Sequence, residues 1–208
     1  MAVVDVQIPI SEARARALHV GDQVRLYGVV VTARDAAHKY IMDNFISPSS
    51  VPEAEQAVYA VLKELWRGGV IYHCGPVVSR DAAGRWRFVS AGPTTSIREE
   101  PYEANVIAHF GVRAVMGKGG MGLATLAACR EHGAVYLHAV GGAASLIASF
   151  VKEVLNVFKK DEFGVPEAFW VIRVEGLPAV VTMDAHGQSL HEQIAASSAR
   201  KLAELIGG

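Results

Sequence analysis

Apolar residues recur along the chain in two patterns, one with the spacing of strands and one with that of helices. Short runs rich in valine and isoleucine predict strands over residues 3–10, 23–32, 70–78, 85–91, 112–116, 133–138, 169–174 and 179–183. Segments with helical spacing predict helices over residues 11–18, 33–42, 52–66, 98–109, 123–130, 141–159 and 189–206. Because strands and helices alternate without an internal repeat, we expect one α/β domain over residues 1–208 with a mixed sheet.

The composition is that of a well-packed chain without a strong overall charge. Of 208 residues, 51% are hydrophobic and 20% are charged, and the formal net charge is −1. Such a chain lacks the basic field typical of nucleic-acid binding, and no apolar run reaches the roughly 20 residues of a membrane span. Because the N-terminus also lacks the basic region of a signal peptide, we expect a cytoplasmic protein without nucleic-acid or membrane partners.

Cys74 and Cys129 are the two cysteines of the chain, and they form no CxxC pair. They are too few for a metal or iron–sulfur centre, which normally needs three or four ligands. If a cluster is involved, another chain must therefore supply most of its ligands. Cys74 follows His73, and the two could be a nucleophile and its base, but neighbouring strand residues point to opposite faces, which favours a buried thiol.

A glycine-rich stretch, Gly117-Lys118-Gly119-Gly120-Met121-Gly122, follows a predicted strand and precedes a predicted helix. This arrangement presents backbone N–H groups and a helix N-terminus, which attract anions. Lys118 adds a full positive charge in the middle of the turn. A tight turn alone would explain the glycines but not the lysine, so we expect a local anion site. Met116 and Met121 are predicted to be core residues.

The same stretch formally matches G-x-G-x-x-G, the fingerprint of dinucleotide binding. The acidic residue expected about 20 positions later is missing. That region is Gly141-Gly142, after a predicted strand that ends at His138. A P-loop would need Ser or Thr where Gly119 stands. The motif leaves open the alternative of a nucleotide- or anion-binding module without catalysis.

Arg34, Arg98 and Lys118 each lie at a predicted junction between a strand and a helix. In an α/β sheet such junctions converge at one edge, where ligands bind. Three convergent cations suit a small di- or tricarboxylate, which arginine grips with two hydrogen bonds. The alternative for Arg34 is a weak surface ion pair with Asp35 or another neighbour. A cation such as Arg98 at a helix start indicates a facing anion or carboxylate, because the helix dipole disfavours it there.

Polar side chains that could act on a bound acid lie near these cations in the sequence. Thr94, Thr95 and Ser96 precede a predicted helix, so their hydroxyls either cap the helix or bind substrate, and one could serve as an activated base. Asp35 and His38 are spaced i, i+3 and could form an acid–base or supporting pair on one helix face.

Five segments, taken in order, resemble the iron–sulfur hydro-lyases, the group that includes class I fumarate hydratase and L(+)-tartrate dehydratase. They are TARDAAHK at 32–39, YHCGP at 72–76, AGPTTSIR at 91–98, GKGGMG at 117–122 and HAVGGAA at 138–144. The resemblance covers nearly the whole chain. It is to the β subunit of the two-subunit form, which is equivalent to the C-terminal domain of the single-chain form.

This resemblance implies the fold and the assembly. The expected fold is a swivelling β/β/α domain with a mixed sheet flanked by helices. The expected partner is an α subunit whose three cysteines hold a [4Fe–4S] cluster, in an α2β2 heterotetramer, with no metal ligand in this chain. A small dicarboxylate would bind between the cluster and the β subunit.

The matching segments also imply roles for individual residues. By resemblance, Arg34, Arg98 and Lys118 bind the carboxylate or hydroxyl groups of the substrate, and Thr95 is expected to assist them. Thr94 matches the proposed catalytic base. Lys118 would also stabilise the charge that builds on the substrate as the adjacent C–H proton leaves.

The implied reaction is the reversible hydration of fumarate to (S)-malate, with an iron of the partner's cluster as Lewis acid. Dehydration of L(+)-tartrate or a related hydroxy acid is the alternative, because these acids present similar carboxylates. Asp35 and His38 are implied to support the substrate-binding residues. Glu99 stands where the family usually has methionine, which bears on substrate choice. A threonine hydroxyl is a poor base at its ordinary pKa, so Thr94 requires nearby cations.

Overall fold

The computed structural model describes residues 3–206. Its strands are β1 (Val4–Gln7), β2 (Gln23–Thr32), β3 (Val70–Tyr72), β4 (Val77–Arg80), β5 (Trp86–Ser90), β6 (Ala114–Gly117), β7 (Val135–His138), β8 (Val151–Phe158) and β9 (Phe169–Met183). Its α-helices are α1 (Glu12–Arg16), α2 (Asp35–Ile41), α3 (Gln56–Trp66), α4 (Glu100–Phe110), α5 (Leu123–His132), α6 (Ala144–Ser149), α7 (Lys160–Phe163) and α8 (Leu190–Ile206). A π-helical turn continues α2, and 3₁₀ turns lead into α3 and α4; they span Met42–Ile46, Glu53–Glu55 and Ser96–Glu99. Among these described helices, none is long and apolar enough to cross a membrane.

Seven strands form one mixed sheet in the order β1-β2-β3-β6-β7-β9-β8. The neighbours from β1 to β7 are parallel, and the long strand β9 is antiparallel to β7 and β8. β9 also pairs antiparallel with β2, so the ring of pairings β2, β3, β6, β7 and β9 closes on itself. Strands β4 and β5 form a separate antiparallel hairpin. The predicted class, a mixed sheet flanked by helices, is confirmed.

Successive residues of the central strands point into two different cores. One core lies on the side of the β4–β5 hairpin and α6 and includes Val30, Val70, Met116, Leu137, Trp170 and Val181. The other lies under helices α2 to α5 and includes Val31, Ile71, Val115, Tyr136, Phe169 and Met183. Burial on both faces explains why these strands read as continuous apolar runs rather than alternating ones.

The predicted helix over 141–159 is wrong for most of its length. Helix α6 ends at Ser149, and Val151–Phe158 forms strand β8 against β9. Val151, Val154 and Val157 are three residues apart, a spacing typical of a helix. In the structure, two irregularities in the pairing with β9 shift the register, so that all three valines pack on the same core.

The two strands predicted at 169–174 and 179–183 are one strand, β9. The intervening Gly176-Leu177-Pro178 reads as a break, since glycine and proline disfavour strand interiors. In the structure these residues form an irregularity within the strand. Gly176 has a φ of +69°, and the register of the pairing with β2 shifts between Leu26 and Tyr27. The chain therefore keeps its direction and closes the ring of strands.

Candidate active site

The segments that carry the predicted site residues meet at one edge of the sheet. Strands β2, β3 and β6 are adjacent and parallel, and Thr32, Tyr72 and Met116 are aligned across them. Gly117 at the end of β6 is in turn aligned with His138 at the end of β7. Because the strands end together, the chain leaves all four at the same edge, as predicted.

Thr94, Thr95 and Lys118 are brought together by backbone hydrogen bonds. The Lys118 N–H donates to the Thr94 carbonyl at 3.1 Å, and the Ser96 N–H donates to the Lys118 carbonyl at 3.0 Å. The Thr94 N–H donates to the His73 carbonyl at 2.6 Å, which joins the same segment to the end of β3. The predicted base and the predicted lysine thus lie on adjacent, paired segments.

Lys118 extends from this edge beside the segment Gly141-Gly142. Within residues 3–206 its ammonium group has no carboxylate within ion-pair distance. Gly141 lies beside the lysine side chain: a Cβ atom there would make an ordinary contact with Lys118 Cδ, at 3.9 Å. Gly120 has a φ of +80° and packs on the His191 ring so closely that a side chain there would overlap it. The turn therefore requires glycine at position 120.

Helix capping does not account for the hydroxyl cluster. Thr95 lies at the N-cap position of the 3₁₀ turn but makes no capping hydrogen bond with its side chain. Ser96 is fully buried, and its hydroxyl contacts His73 and Tyr136, so it cannot reach a ligand. In the described part of the chain, the hydroxyls of Thr94 and Thr95 have no hydrogen-bond partner. Of the three hydroxyls in this cluster, those of Thr94 and Thr95 are therefore the ones that a substrate can contact.

Arg98 forms an ion pair with Asp35, with 2.9 Å between Nη2 and Oδ2. This contact supplies the carboxylate partner that the position of Arg98 at a helix start indicated. It also ties the loop after β2 to the loop that carries Thr94 and Thr95. Both side chains are roughly half exposed, so the guanidinium retains a free face toward solvent.

Arg34 is held more tightly than the sequence suggested. Its Nη2 lies 3.3 Å from Glu167 Oε1, and its Nη1 lies 3.5 Å from the Pro166 carbonyl. Its Nε is buried without a partner. The predicted alternative of a pair with Asp35 is wrong, because Asp35 faces Arg98. Glu167 also accepts a hydrogen bond from the Ala36 N–H at the start of α2, and the sequence held no signal for this residue.

Asp35 and His38 share helix α2 but do not pair with each other. The His38 ring contacts the Arg34 carbonyl through Nδ1 at 2.9 Å and Glu103 Oε2 through Nε2 at 2.9 Å. His73 Nε2 contacts the same Glu103 oxygen at 3.0 Å. His38, His73 and Glu103 are all fully buried. Among the described residues, these three side chains form a group with the spacing of a metal site, because their potential ligand atoms lie within 4.8 Å of one another.

The carboxylate of Glu100 occupies the N-terminus of helix α5. It accepts hydrogen bonds from the Gly122, Ala124 and Thr125 N–H groups at 2.7, 3.0 and 3.2 Å, and from the Thr125 hydroxyl at 2.6 Å. These are the groups that would hold a pyrophosphate in a dinucleotide-binding loop. The G-x-G-x-x-G interpretation is therefore wrong for this turn, because the carboxylate of Glu100 already takes the place of the anion.

Glu99 is a buried carboxyl group whose two oxygens have no hydrogen-bond partner among the described residues. Its Oε2 lies 4.0 Å from His73 Nδ1. Burial raises the pKa of Glu99 to about 8, because no donor compensates the lost hydration of the carboxylate and Asp35 lies nearby. Glu99 is therefore mostly neutral at pH 7.

The two cysteines do not have the surroundings of metal ligands. Cys74 and Cys129 are buried in different cores, Cys74 beside the hairpin and Cys129 under the helices. Burial raises the pKa of the Cys74 thiol to about 12 and raises that of Cys129 as well. The two thiols lie in different cores and do not form a pair of ligands, and the ring nitrogens of His73 contact Ser96 and Glu103, so Cys74 and His73 are not a nucleophile pair. The predicted burial of Cys74, Met116 and Met121 is confirmed.

Comparison with known proteins identifies the class. The family described as Fumarase C-terminus matches residues 1–194, so the chain belongs to that family. A relative from Geobacillus stearothermophilus, named "Putative fumarate hydratase class I", is 50% identical over 202 residues. That alignment covers 97% of this chain, which spans 36% of the length of the relative.

Two further relatives are named as β subunits. One is the "Putative L(+)-tartrate dehydratase subunit beta" of Methanocaldococcus jannaschii, 39% identical over 199 residues, covering 95% of this chain and 96% of that protein. The other is the L(+)-tartrate dehydratase subunit beta of Escherichia coli K12, 36% identical over 183 residues, covering 88% and 83%. The relatives are thus named as hydro-lyases, which confirms the resemblance seen in the sequence.

Proposed function

We propose that this chain, acting as one domain over residues 1–208, is the β subunit of a [4Fe–4S]-dependent hydro-lyase that interconverts fumarate and (S)-malate. One observation carries the proposal: the pairing of Thr94–Ser96 with Lys118, and of Arg98 with Asp35, collects three predicted site segments at one sheet edge. The higher identity to the relative named for fumarate supports that substrate. Dehydration of L(+)-tartrate or a related hydroxy acid is the alternative.

The roles of the residues follow from charge and position. Lys118, Arg98 and Arg34 would bind the substrate carboxylates, and Lys118 would stabilise the negative charge that develops as the C–H bond breaks. Arg34 can do so only by sharing its guanidinium with Glu167, which faces it at 3.3 Å. Thr95 would donate a hydrogen bond to the substrate.

Thr94 would accept the proton that leaves carbon. The backbone of Thr94 is hydrogen-bonded to that of Lys118, so a full positive charge lies on the adjacent segment. That charge favours the alkoxide form of the Thr94 hydroxyl. Asp35 would hold Arg98 in place, and His38 would hold the carbonyl of Arg34. The partner's cluster, when bound, supplies Lewis-acid activation of the substrate hydroxyl.

The apolar surface around this edge supports a partner α subunit. Ile97, Leu123, Val140 and Leu146 are between 51% and 69% exposed, and each lies within a few residues of a site loop. Exposed apolar residues grouped around a polar site are typical of a surface that another chain covers. We therefore propose that the cluster-bearing α subunit binds this edge, that the assembly is an α2β2 heterotetramer, and that it resides in the reducing cytoplasm.

The experiment is reconstitution. The chain and its cysteine-bearing α subunit are combined, the cluster is rebuilt without oxygen, and turnover of fumarate, (S)-malate, both tartrates and mesaconate is measured. We expect activity only from the pair, with fumarate and malate converted fastest. Faster conversion of L(+)-tartrate would favour the alternative, and iron-independent turnover by the isolated chain would contradict both.

A further inference from the structure

A continuous chain of hydrogen bonds runs through the interior directly beneath the candidate site. Its members are buried polar side chains contributed by five separate segments. In order they are Tyr136, Ser96, His73, Glu103 and His38, and the chain ends on the Arg34 carbonyl. The successive distances are 2.8, 2.8, 3.0, 2.9 and 2.9 Å. Tyr136 and Glu103 carried no signal in the sequence, whereas His38 and Ser96 were candidates for other roles at the site and His73 was considered only as a partner of Cys74.

The proton positions follow once Glu103 is a carboxylate, as its lowered pKa indicates. A carbonyl oxygen only accepts, so His38 Nδ1–H must donate to Arg34, and His38 Nε2 must also carry a proton to face the Glu103 carboxylate. His38 is therefore an imidazolium. His73 donates from Nε2 to Glu103, which leaves its Nδ1 to accept the Ser96 hydroxyl proton, while Tyr136 donates to the Ser96 oxygen.

The direction of the pKa shifts agrees with this arrangement. Burial lowers the pKa of His38, but the Glu103 carboxylate outweighs burial and raises it overall. Burial lowers the pKa of His73, so that ring stays neutral. Burial opposes ionisation of Glu103, but the charge of His38 and hydrogen bonds from both histidines hold its pKa well below the usual range. The buried charges of His38 and Glu103 thus compensate each other.

The chain joins the segments that must keep their relative positions during catalysis. Ser96 directly follows Thr94 and Thr95, and its own N–H donates to the Lys118 carbonyl. A side chain at Gly117 would overlap Ser96 Oγ, so β6 is shaped to admit this hydroxyl. At the far end, the His38 ring holds the carbonyl of Arg34. One buried network therefore contacts the threonine loop, the lysine strand and the arginine loop.

We infer that Ser96 and His73 are positioning residues: their buried hydrogen bond, supported by Glu103, His38 and Tyr136, holds the Thr94–Thr95 segment in register with Lys118 for proton abstraction. This inference rests on the proposed function, because it assigns a purpose to the network within that reaction. Substrate binding depends mainly on the cations, so loss of the network slows C–H cleavage more than it weakens binding.

The test uses the reconstituted complex in the direction of dehydration, with the best hydroxy acid of the panel carrying deuterium at the carbon that loses its proton. Ser96→Ala removes the hydroxyl and leaves His73 Nδ1 without a partner. We expect kcat to fall about tenfold or more, KM to change less than about threefold, and the primary isotope effect to rise, because a misplaced base makes C–H cleavage more rate-limiting. The matched control is Leu62→Ala in α3, fully buried and outside the network. It should lower the Tm and leave KM and the isotope effect unchanged.

The outcomes separate the two proposals. An inactive wild-type complex contradicts the proposed function. An active wild type with a Ser96→Ala variant of equal kcat and isotope effect overturns only the positioning inference. Metal analysis of the isolated chain is a second arm, because His38, His73 and Glu103 also have metal-ligand spacing. We expect no bound metal; one equivalent that is lost in His73→Ala would overturn the hydrogen-bond network, whose Nε2 atoms must carry protons.

Discussion

Arg98 and Asp35 form an ion pair, 2.9 Å long, between two loops that are far apart in the sequence. The pair joins the start of α2, which follows β2, to the 3₁₀ turn before α4. A half-exposed pair of this kind contributes little to folding. Its main effect is to orient the guanidinium of Arg98, which we propose binds a substrate carboxylate.

Asp35→Asn should therefore affect KM more than stability. We expect KM for malate to rise about tenfold, equivalent to about 1.4 kcal/mol, because the Arg98 guanidinium loses its fixed orientation. The free energy of unfolding should change by less than about 1 kcal/mol. Steady-state kinetics on the reconstituted complex and thermal melts of the isolated chain measure the two quantities. A large loss of stability with an unchanged KM would show that the pair is structural.

Glu100→Ala should destabilise the chain. The carboxylate accepts four hydrogen bonds at the start of α5, three from N–H groups and one from the Thr125 hydroxyl. Loss of this charged acceptor should cost about 2 kcal/mol in the free energy of unfolding. Urea denaturation measures the change, with Glu64→Ala on the exposed face of α3 as the control. Equal midpoints for the two variants would contradict this role of Glu100.

Glu99→Gln should change how stability depends on pH. The folded-state pKa of Glu99, about 8, lies above the value of 4.5 for an unperturbed glutamate. Its contribution to stability is therefore fully present below pH 4.5 and is lost as the pH rises toward 8, by up to about 1.4 kcal/mol per pH unit. The neutral amide has no such dependence.

Melting curves of the wild type and Glu99→Gln between pH 5 and pH 8.5 measure this difference, because the range includes the folded-state pKa of Glu99, about 8. We expect the difference between the Tm of the variant and the Tm of the wild type to increase in favour of the variant as the pH rises. Parallel profiles would mean that Glu99 is ionised in the folded chain and has a partner that compensates it.

Much of the sheet edge could be predicted from the sequence. Parallel strands buried on both faces appear as short apolar runs, and the residues after such runs meet at one edge, which placed Arg34 and Lys118 correctly relative to the strands. Arg98 follows β5 of the separate hairpin instead and is joined to this edge by its ion pair with Asp35. Glycines at 117, 119 and 120 marked a turn whose shape only glycine permits.

The supporting residues could not be predicted, because they act through contacts distant in sequence. His38 and Glu103 are 65 positions apart, and Arg34 and Pro166 are 132 apart. Nothing local distinguishes Glu100, which satisfies a helix N-terminus, from Glu99, which is buried without a partner. Strand β8 was missed for a related reason: its valine spacing indicates a helix until the pairing partner β9 is known.

The central claim is that this chain supplies the substrate-binding half of a hydro-lyase through Lys118. The most direct measurement is a titration of the chain into a fixed amount of cluster-loaded α subunit, with fumarate hydration as the readout. We expect the rate to rise and saturate at one chain per α subunit. Lys118→Ala should saturate at the same ratio with kcat lower by about 10²- to 10³-fold, the usual effect of losing one electrostatic donor.

The control is Lys63→Ala, an exposed lysine of α3 near the opposite end of the parallel strands, which should match the wild type. We expect the Lys118→Ala titration to saturate like that of the wild type, but with a kcat lower by about 10²- to 10³-fold. Hydration by the α subunit without this chain, or a Lys118→Ala complex as fast as the wild type, would contradict it.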